Sequence, residues 1–258
     1  MIRLAVIRRP EWLLCALLIG LLTGPCSVTA GEREADVLET GRLLAILLDA
    51  GRIAVDNNQA LINDPRKAQK GFTADVFAAE AIALFKTRTG HDLTRLQDAG
   101  VPAMAVPLLE RLLEESKKTI STYQTVIDMP GIKYKGLIPA TFGTEAGKRF
   151  QNWSGVYLKQ TAPLHLIRNP NNRPDDFETA EMNKMSEASF PRDGKHIVSA
   201  TVDNEKAVRV MLPLFYGKGC LSCHGMPKGE RDISGYAREG GKEGDLGGAI
   251  SVKLPVPD

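Results

Sequence analysis

Cysteine is scarce in this chain and unevenly placed. Cys15 and Cys26 fall in the first thirty residues, Cys220 and Cys223 stand near the far end, and no other cysteine occurs. Once a leader is removed, no pair remains for a structural disulfide beyond the 220/223 pair. A four-ligand zinc site would also lack its second cysteine pair. An excess of one charge is missing too. The formal net charge is +2, and without Arg3, Arg8, Arg9 and Glu11 the chain keeps 30 basic and 30 acidic residues. A neutral chain lacks the basic field that nucleic acid or an anionic membrane surface would require, so neither is an expected partner. Catalytic patterns are absent as well. There is no nucleophile–base pairing at useful spacing and no glycine-rich phosphate loop, and the C-terminal glycines follow no strand-to-helix pattern. An enzyme is not expected.

What is present begins with a leader. The 258 residues are 43% hydrophobic and 25% charged, as in an ordinary globular protein with room for a large core. Basic residues open the chain, an apolar run follows from Trp12 to Leu22, and Val28-Thr29-Ala30 suits cleavage before Gly31. That run is short of the roughly 20 residues a membrane span needs, and no second candidate span follows. Pro25 before Cys26 does not fit a lipoprotein site. A cleaved signal peptide at 1–30 and a periplasmic product without a transmembrane segment are expected, with an uncleaved anchor as the alternative.

The chemistry centres on Cys220-Leu221-Ser222-Cys223-His224. Two cysteines separated by two residues and followed by histidine form the attachment signature of haem c. One thiol adds to each porphyrin vinyl group, and the tight loop leaves His224 as the proximal iron ligand. A bare redox dithiol would not need His224, and Gly225-Met226-Pro227 breaks the helix such a site expects. One covalent haem c is the expected cofactor. Attachment of haem c outside the bacterial inner membrane agrees with a signal peptide.

Ahead of the motif the chain reads as helical. Apolar residues from Leu38 to Leu61 recur at threes and fours, predicting a helix from Arg33 to Ile62 that Asn63-Asp64-Pro65 ends. A second helix is predicted from Thr73 to Thr87, with Gly90 as its stop. The pattern then repeats at a shift of 65 residues. Gln59, Pro65, Lys70, Gly71, Phe77, Glu80, Ala81, Phe85 and Gly90 match Gln124, Pro130, Lys135, Gly136, Phe142, Glu145, Ala146, Phe150 and Gly155. Fixed register across unlike residue types indicates a duplicated helix–turn–helix unit over about 43–93 and 108–158. Two unrelated amphipathic hairpins are the alternative. Further on, a short helix is predicted from Pro174 to about Ala188. Strands are predicted at His196–Val202, Ala207–Leu214 and Ala249–Leu254, which makes the fold class α+β.

Arg168-Asn169-Pro170, Pro174-Asp175, Glu178, Cys220 to Gly225, Gly244-Asp245 and Gly247 to Val252 together resemble a family of c-type haem domains with a PAS-like fold. Its members include cyanobacterial cytochromes and periplasmic sensor modules of histidine kinases and chemoreceptors. Asn63-Asp64-Pro65 and Lys70 to Thr73 resemble the sensor members. The resemblance implies a five-stranded antiparallel sheet with flanking helices carrying the haem at 105–258, after a helical extension at 31–104. It implies thioethers at Cys220 and Cys223, His224 as proximal ligand, and Arg168 as partner of a haem propionate, with a surface salt bridge as the alternative for Arg168. Some relatives place a distal cysteine on the helix expected here at Pro139–Phe150, which holds no Cys, His or Met. His165, expected in a strand near the haem, and then Met129 are the candidate distal ligands, beside an open or water-bound site. Met182 and Met185, three apart on a helix, are expected in the core.

Two functions follow. The first is a periplasmic monohaem cytochrome passing electrons to a redox partner. The second is a redox or gas sensor, which would act through a separate membrane signalling protein because no kinase or chemoreceptor output region follows the haem segment.

Overall fold

The computed structural model describes residues 30–98, 100–193, 196–202 and 206–256. The expected leader lies outside these residues except for Ala30. Within them the fold is α+β, with seven α-helices and one antiparallel sheet of four strands. No helix among the described residues is long and apolar enough to cross a membrane.

The central element is α1 (Ala30–Asn57), followed after Asn58 by the single turn α2 (Gln59–Ile62). Leu43, Leu44, Ala45, Ile46, Leu47 and Leu48 are consecutive and all buried, so α1 is apolar on every side at its middle. A helix of that kind needs covering on more than one face. Two glycines mark the two faces. A Cβ at Gly41 would stand 2.8 Å from Val210 of the sheet, and one at Gly51 would stand 2.6 Å from the Phe142 ring of the helical layer.

That helical layer is built from α3 (Ala74–Thr89), α4 (Ala105–Asp128) and α5 (Pro139–Ser154). The Thr73 side chain accepts from Val76 N to start α3, and Pro139 occupies the first turn of α5, where its missing N–H costs nothing. Gly90 and Gly155 end α3 and α5 at φ 79° and 71°, a left-handed conformation that glycine adopts without strain. Positions 65 residues apart occupy matching places. Lys70 N donates to Asp128 Oδ1 at 2.8 Å, and Lys135 N donates to Asn63 Oδ1 at 3.0 Å. Both buried ammonium groups cap carbonyls at the end of α4, Lys70 on Ile127 O and Lys135 on Met129 O. Burial, and then the neighbouring Lys70, lower the pKa of Lys135.

The sheet runs β1 (Tyr157–Thr161), β4 (Leu246–Pro255), β3 (Ala207–Phe215), β2 (Val198–Val202), all neighbours antiparallel. Val208, Val210 and Leu212 alternate with Arg209 and Met211, and every one of them is buried. The first set joins the large core with α1, and Met211 packs with Met182 and Met185 of α6 (Asp176–Ser186). Helices therefore cover both faces of β3. The core position expected for the two methionines is where they lie. Asp175 and Glu178 form a reciprocal capping box at the start of α6, and Asp175 Oδ2 also accepts from Arg209 at 2.7 Å.

Two expectations need correction. Four strands, not five, are present among the described residues. The segment carrying His165 is a 3₁₀ turn (Leu164–Leu166) rather than a strand. Pro163 and Pro170 flank it, and proline has no N–H for a ladder. The sheet instead takes β1 from the residues that follow the Gly155 cap of α5. One apolar cluster has members on both sides of the 104/105 division, from Val37 to Leu254.

Candidate functional site

β3 ends at Phe215 and its neighbour β4 starts at Leu246, and the connection between them carries the cysteine motif. Cys220 N donates to Gly217 O at 3.1 Å, and the single turn α7 (Leu221–His224) closes with His224 N on Cys220 O at 2.9 Å. The glycine-rich remainder folds back beneath it. Gly241 N donates to His224 O at 2.7 Å, Tyr216 N donates to Asp245 O, and Gly244 N donates to Tyr216 O, both at 2.8 Å. These bonds fix the motif at both ends.

The His224 side chain is held on two sides. Its Nδ1 lies 2.9 Å from Glu239 Oε2, and its ring stacks on Tyr216 at 4.9 Å with 16° between the planes. The Tyr216 ring also needs glycine beside it, because a Cβ at Gly241 or Gly247 would stand 2.7 or 2.3 Å from it. Tyr216 is 8% exposed, and its hydroxyl has no hydrogen-bond partner among the described residues. Burial, then nearby Glu239, push this phenol well above its usual range.

Arg168 reaches the motif from the connection between β1 and α6. Its Nε donates to Glu239 Oε1 at 2.9 Å and its Nη1 to Asp232 Oδ2 at 2.6 Å. Its Nη2 donates to Glu239 Oε2 and to Cys223 O, both at 3.0 Å. Burial alone would raise the Glu239 carboxyl, but the bonds from Arg168 and His224 outweigh it and hold the group below its usual range. Asp232 is held down against burial in the same way, by Ser234 and Arg168.

A model of the Tll0287-like family matches residues 34–255. The chain belongs to that family. Among solved structures it resembles the crystal structure of the cyanobacterial heme protein Tll0287, at 20% identity and a TM-score of 0.40. That match covers 60% of this chain and 94% of the other. No curated protein matches.

In this member of the Tll0287-like family Cys220 and Cys223 are free thiols of intermediate exposure. Burial is the leading cause that pushes each thiol up from its ordinary value. A dithiol oxidoreductase needs a lowered thiol pKa, so these surroundings favour the thiol form. Cys220 sits at the end of α1: a Cβ on its neighbour Gly219 would stand 2.6 Å from Asp56 Oδ2. Cys223 faces the α4–α5 turn, and Tyr134 of that turn is pushed up by burial, then by Asp232 and Cys223.

The residues fit the group that the motif implies. Two thiols flank one turn, the imidazole keeps Nε2 while Nδ1 is bonded, and a buried hydroxyl beside it lacks a partner. Cys220, Cys223, His224 and Arg168 come together, with Arg168 engaged by carboxylates of its own chain. His165 does not join them. It is exposed and lines a 240 Å³ cleft with Pro174, Met182 and Ser186 on the α6 side. Met129 caps α4, is 43% exposed, and opens the loop that carries Tyr134. Glu239, Asp232 and Tyr216 carry no signal in the sequence except proximity to the motif, since a loop has no period that marks its inward residues.

Proposed function

We propose that the chain is a periplasmic monohaem cytochrome of the c type. The observation that carries this reading is the clamped Cys220–His224 turn, with His224 Nδ1 on a carboxylate and Nε2 left for a metal. Family membership supports it, because the Tll0287 whose name the family bears is a heme protein. Cys220 and Cys223 would form thioethers and His224 would be the proximal ligand. The bound haem supplies one-electron iron chemistry, its potential set by axial ligation and burial. The chain itself orients the imidazole through Glu239 and Tyr216 and holds the attachment turn in place. We read it as a carrier without a catalytic step, serving a periplasmic redox partner, with the sheet and its helices forming a PAS-like haem domain over 105–258.

One observation favours sensing as the second reading. Gly219, directly before the motif, packs on Asp56 at the end of α1, and α1 underlies both the sheet and the hairpins. A shift at the iron would thus meet the central helix directly, and a membrane signalling protein would be the partner.

The optical spectrum of the exported, reduced protein, with and without carbon monoxide, tests the reading. Sharp α and β bands unmoved by the gas support electron transfer. A broad spectrum that sharpens with the gas supports sensing. No haem from a host competent in cytochrome c maturation overturns both.

A further inference from the structure

His224 Nδ1 meets a carboxylate, and that carboxylate is itself gripped from behind. Arg168 donates to both oxygens of Glu239, Nε to Oε1 at 2.9 Å and Nη2 to Oε2 at 3.0 Å. The same guanidinium is anchored on Asp232 and on the Cys223 carbonyl, so its position is tied to the attachment turn. A carboxylate with donors on both oxygens can only accept, so the proton of the neutral imidazole sits on Nδ1 and the Nε2 lone pair is free. The stacked Tyr216 ring, backed by Gly241 and Gly247, restricts rotation about this bond.

We propose that Glu239 and Arg168 are a pair of positioning residues with opposed effects on His224. Glu239 fixes the ring and makes Nε2 a stronger donor, and Arg168 weakens that pull by drawing on the same carboxylate. Partners of this kind set both the tautomer and the basicity of a ligating histidine. The assignment rests on haem c at Cys220 and Cys223. It gives Arg168 a place behind the imidazole instead of on a propionate.

The test uses the full-length, haem-loaded protein and reads the midpoint potential, together with the iron–histidine stretch by resonance Raman where the ferrous iron is five-coordinate. Glu239→Gln keeps the shape and loses the charge. It should lower the stretch and shift the ferric–ferrous balance about tenfold toward ferrous, equivalent to about 59 mV for one electron. Arg168→Lys keeps the charge and loses the two-point grip, so it should raise the stretch and move the balance the other way. Opposite displacements of the potential support the proposal, because simple loss of nearby charge does not predict one for Arg168→Lys. If Glu239→Gln fails to fold, Glu239→Asp, which retracts the carboxylate, should shift the balance toward ferrous in its place. A loaded parent whose potential is unmoved by these variants overturns this assignment alone. A parent that carries no covalent haem overturns it together with the cytochrome reading.

Discussion

Phe77 and Phe142 stand 65 positions apart in the sequence, and their rings meet at 5.1 Å between centroids, tilted by 55°. Each is the other's counterpart in the repeated pattern, so the two hairpins touch through equivalent residues. Both rings are fully buried, and α1 approaches them at Gly51.

Truncating either ring should therefore be costly. Phe77→Ala and Phe142→Ala should each destabilise by about 3–5 kcal/mol, the range for buried aromatic truncation. Because the rings share one contact, the double variant should lose less than the sum. Urea unfolding of the three variants measures this, and strict additivity would contradict the contact.

Gly51→Ala should destabilise although alanine is the better helix former by about 1 kcal/mol. The new methyl would fall 2.6 Å from Phe142 and 3.1 Å from Phe77, and overpacking of this kind costs about 1–3 kcal/mol. A thermal midpoint equal to or above that of the parent would show that the rings can move aside.

Replacing Cys220 and Cys223 together by Ser should leave no haem on the denatured polypeptide, checked by haem stain after gel electrophoresis. His224→Ala should keep covalent haem but shift the Soret band. Retained haem in the first case, or an unchanged spectrum in the second, contradicts the assigned roles.

Asp175→Asn isolates the charge on the capping residue, since asparagine also caps helices well. Burial works against the Asp175 carboxylate, but the bonds from the Glu178 backbone and Arg209 more than offset it and lower its pKa from 3.8. A carboxyl lowered in the folded state contributes stability above its unfolded value, and that contribution is lost as pH falls through the folded value. Parent and variant should thus differ at neutral pH, by about 0.5–1 kcal/mol because the carboxylate is 43% exposed, and should begin to converge only as pH falls below about 4. Denaturant melts at pH 7 and pH 3 give the comparison, and an equal gap at both would count against the ion pair with Arg209.

Local chemistry explains how far the sequence carries. The helices were legible because caps and period agree at Thr73, Gly90, Pro139 and Gly155. The Cys220–His224 motif was legible because two cysteines and a histidine at that spacing stand out in the sequence itself. β1 was hidden because Tyr157–Thr161 begins straight after the repeat's last helix and pairs with β4, about 90 residues downstream. Glu239 was hidden for a similar reason: it reaches His224 only because Gly241 N closes the loop onto the His224 carbonyl. His165 was expected in a strand close before Arg168, and the 3₁₀ turn between Pro163 and Pro170 places it beside α6 instead.

The exchanged bonds between the hairpin turns, Lys70 N to Asp128 and Lys135 N to Asn63, set a limit on how the molecule can be cut. A fragment starting at residue 105 would leave the Lys135 amide without its acceptor, bare Phe142 to water, and strip α1 from the sheet. The shortest soluble piece should therefore begin ahead of Val37, and a clone covering residues 105–258 alone should yield inclusion bodies.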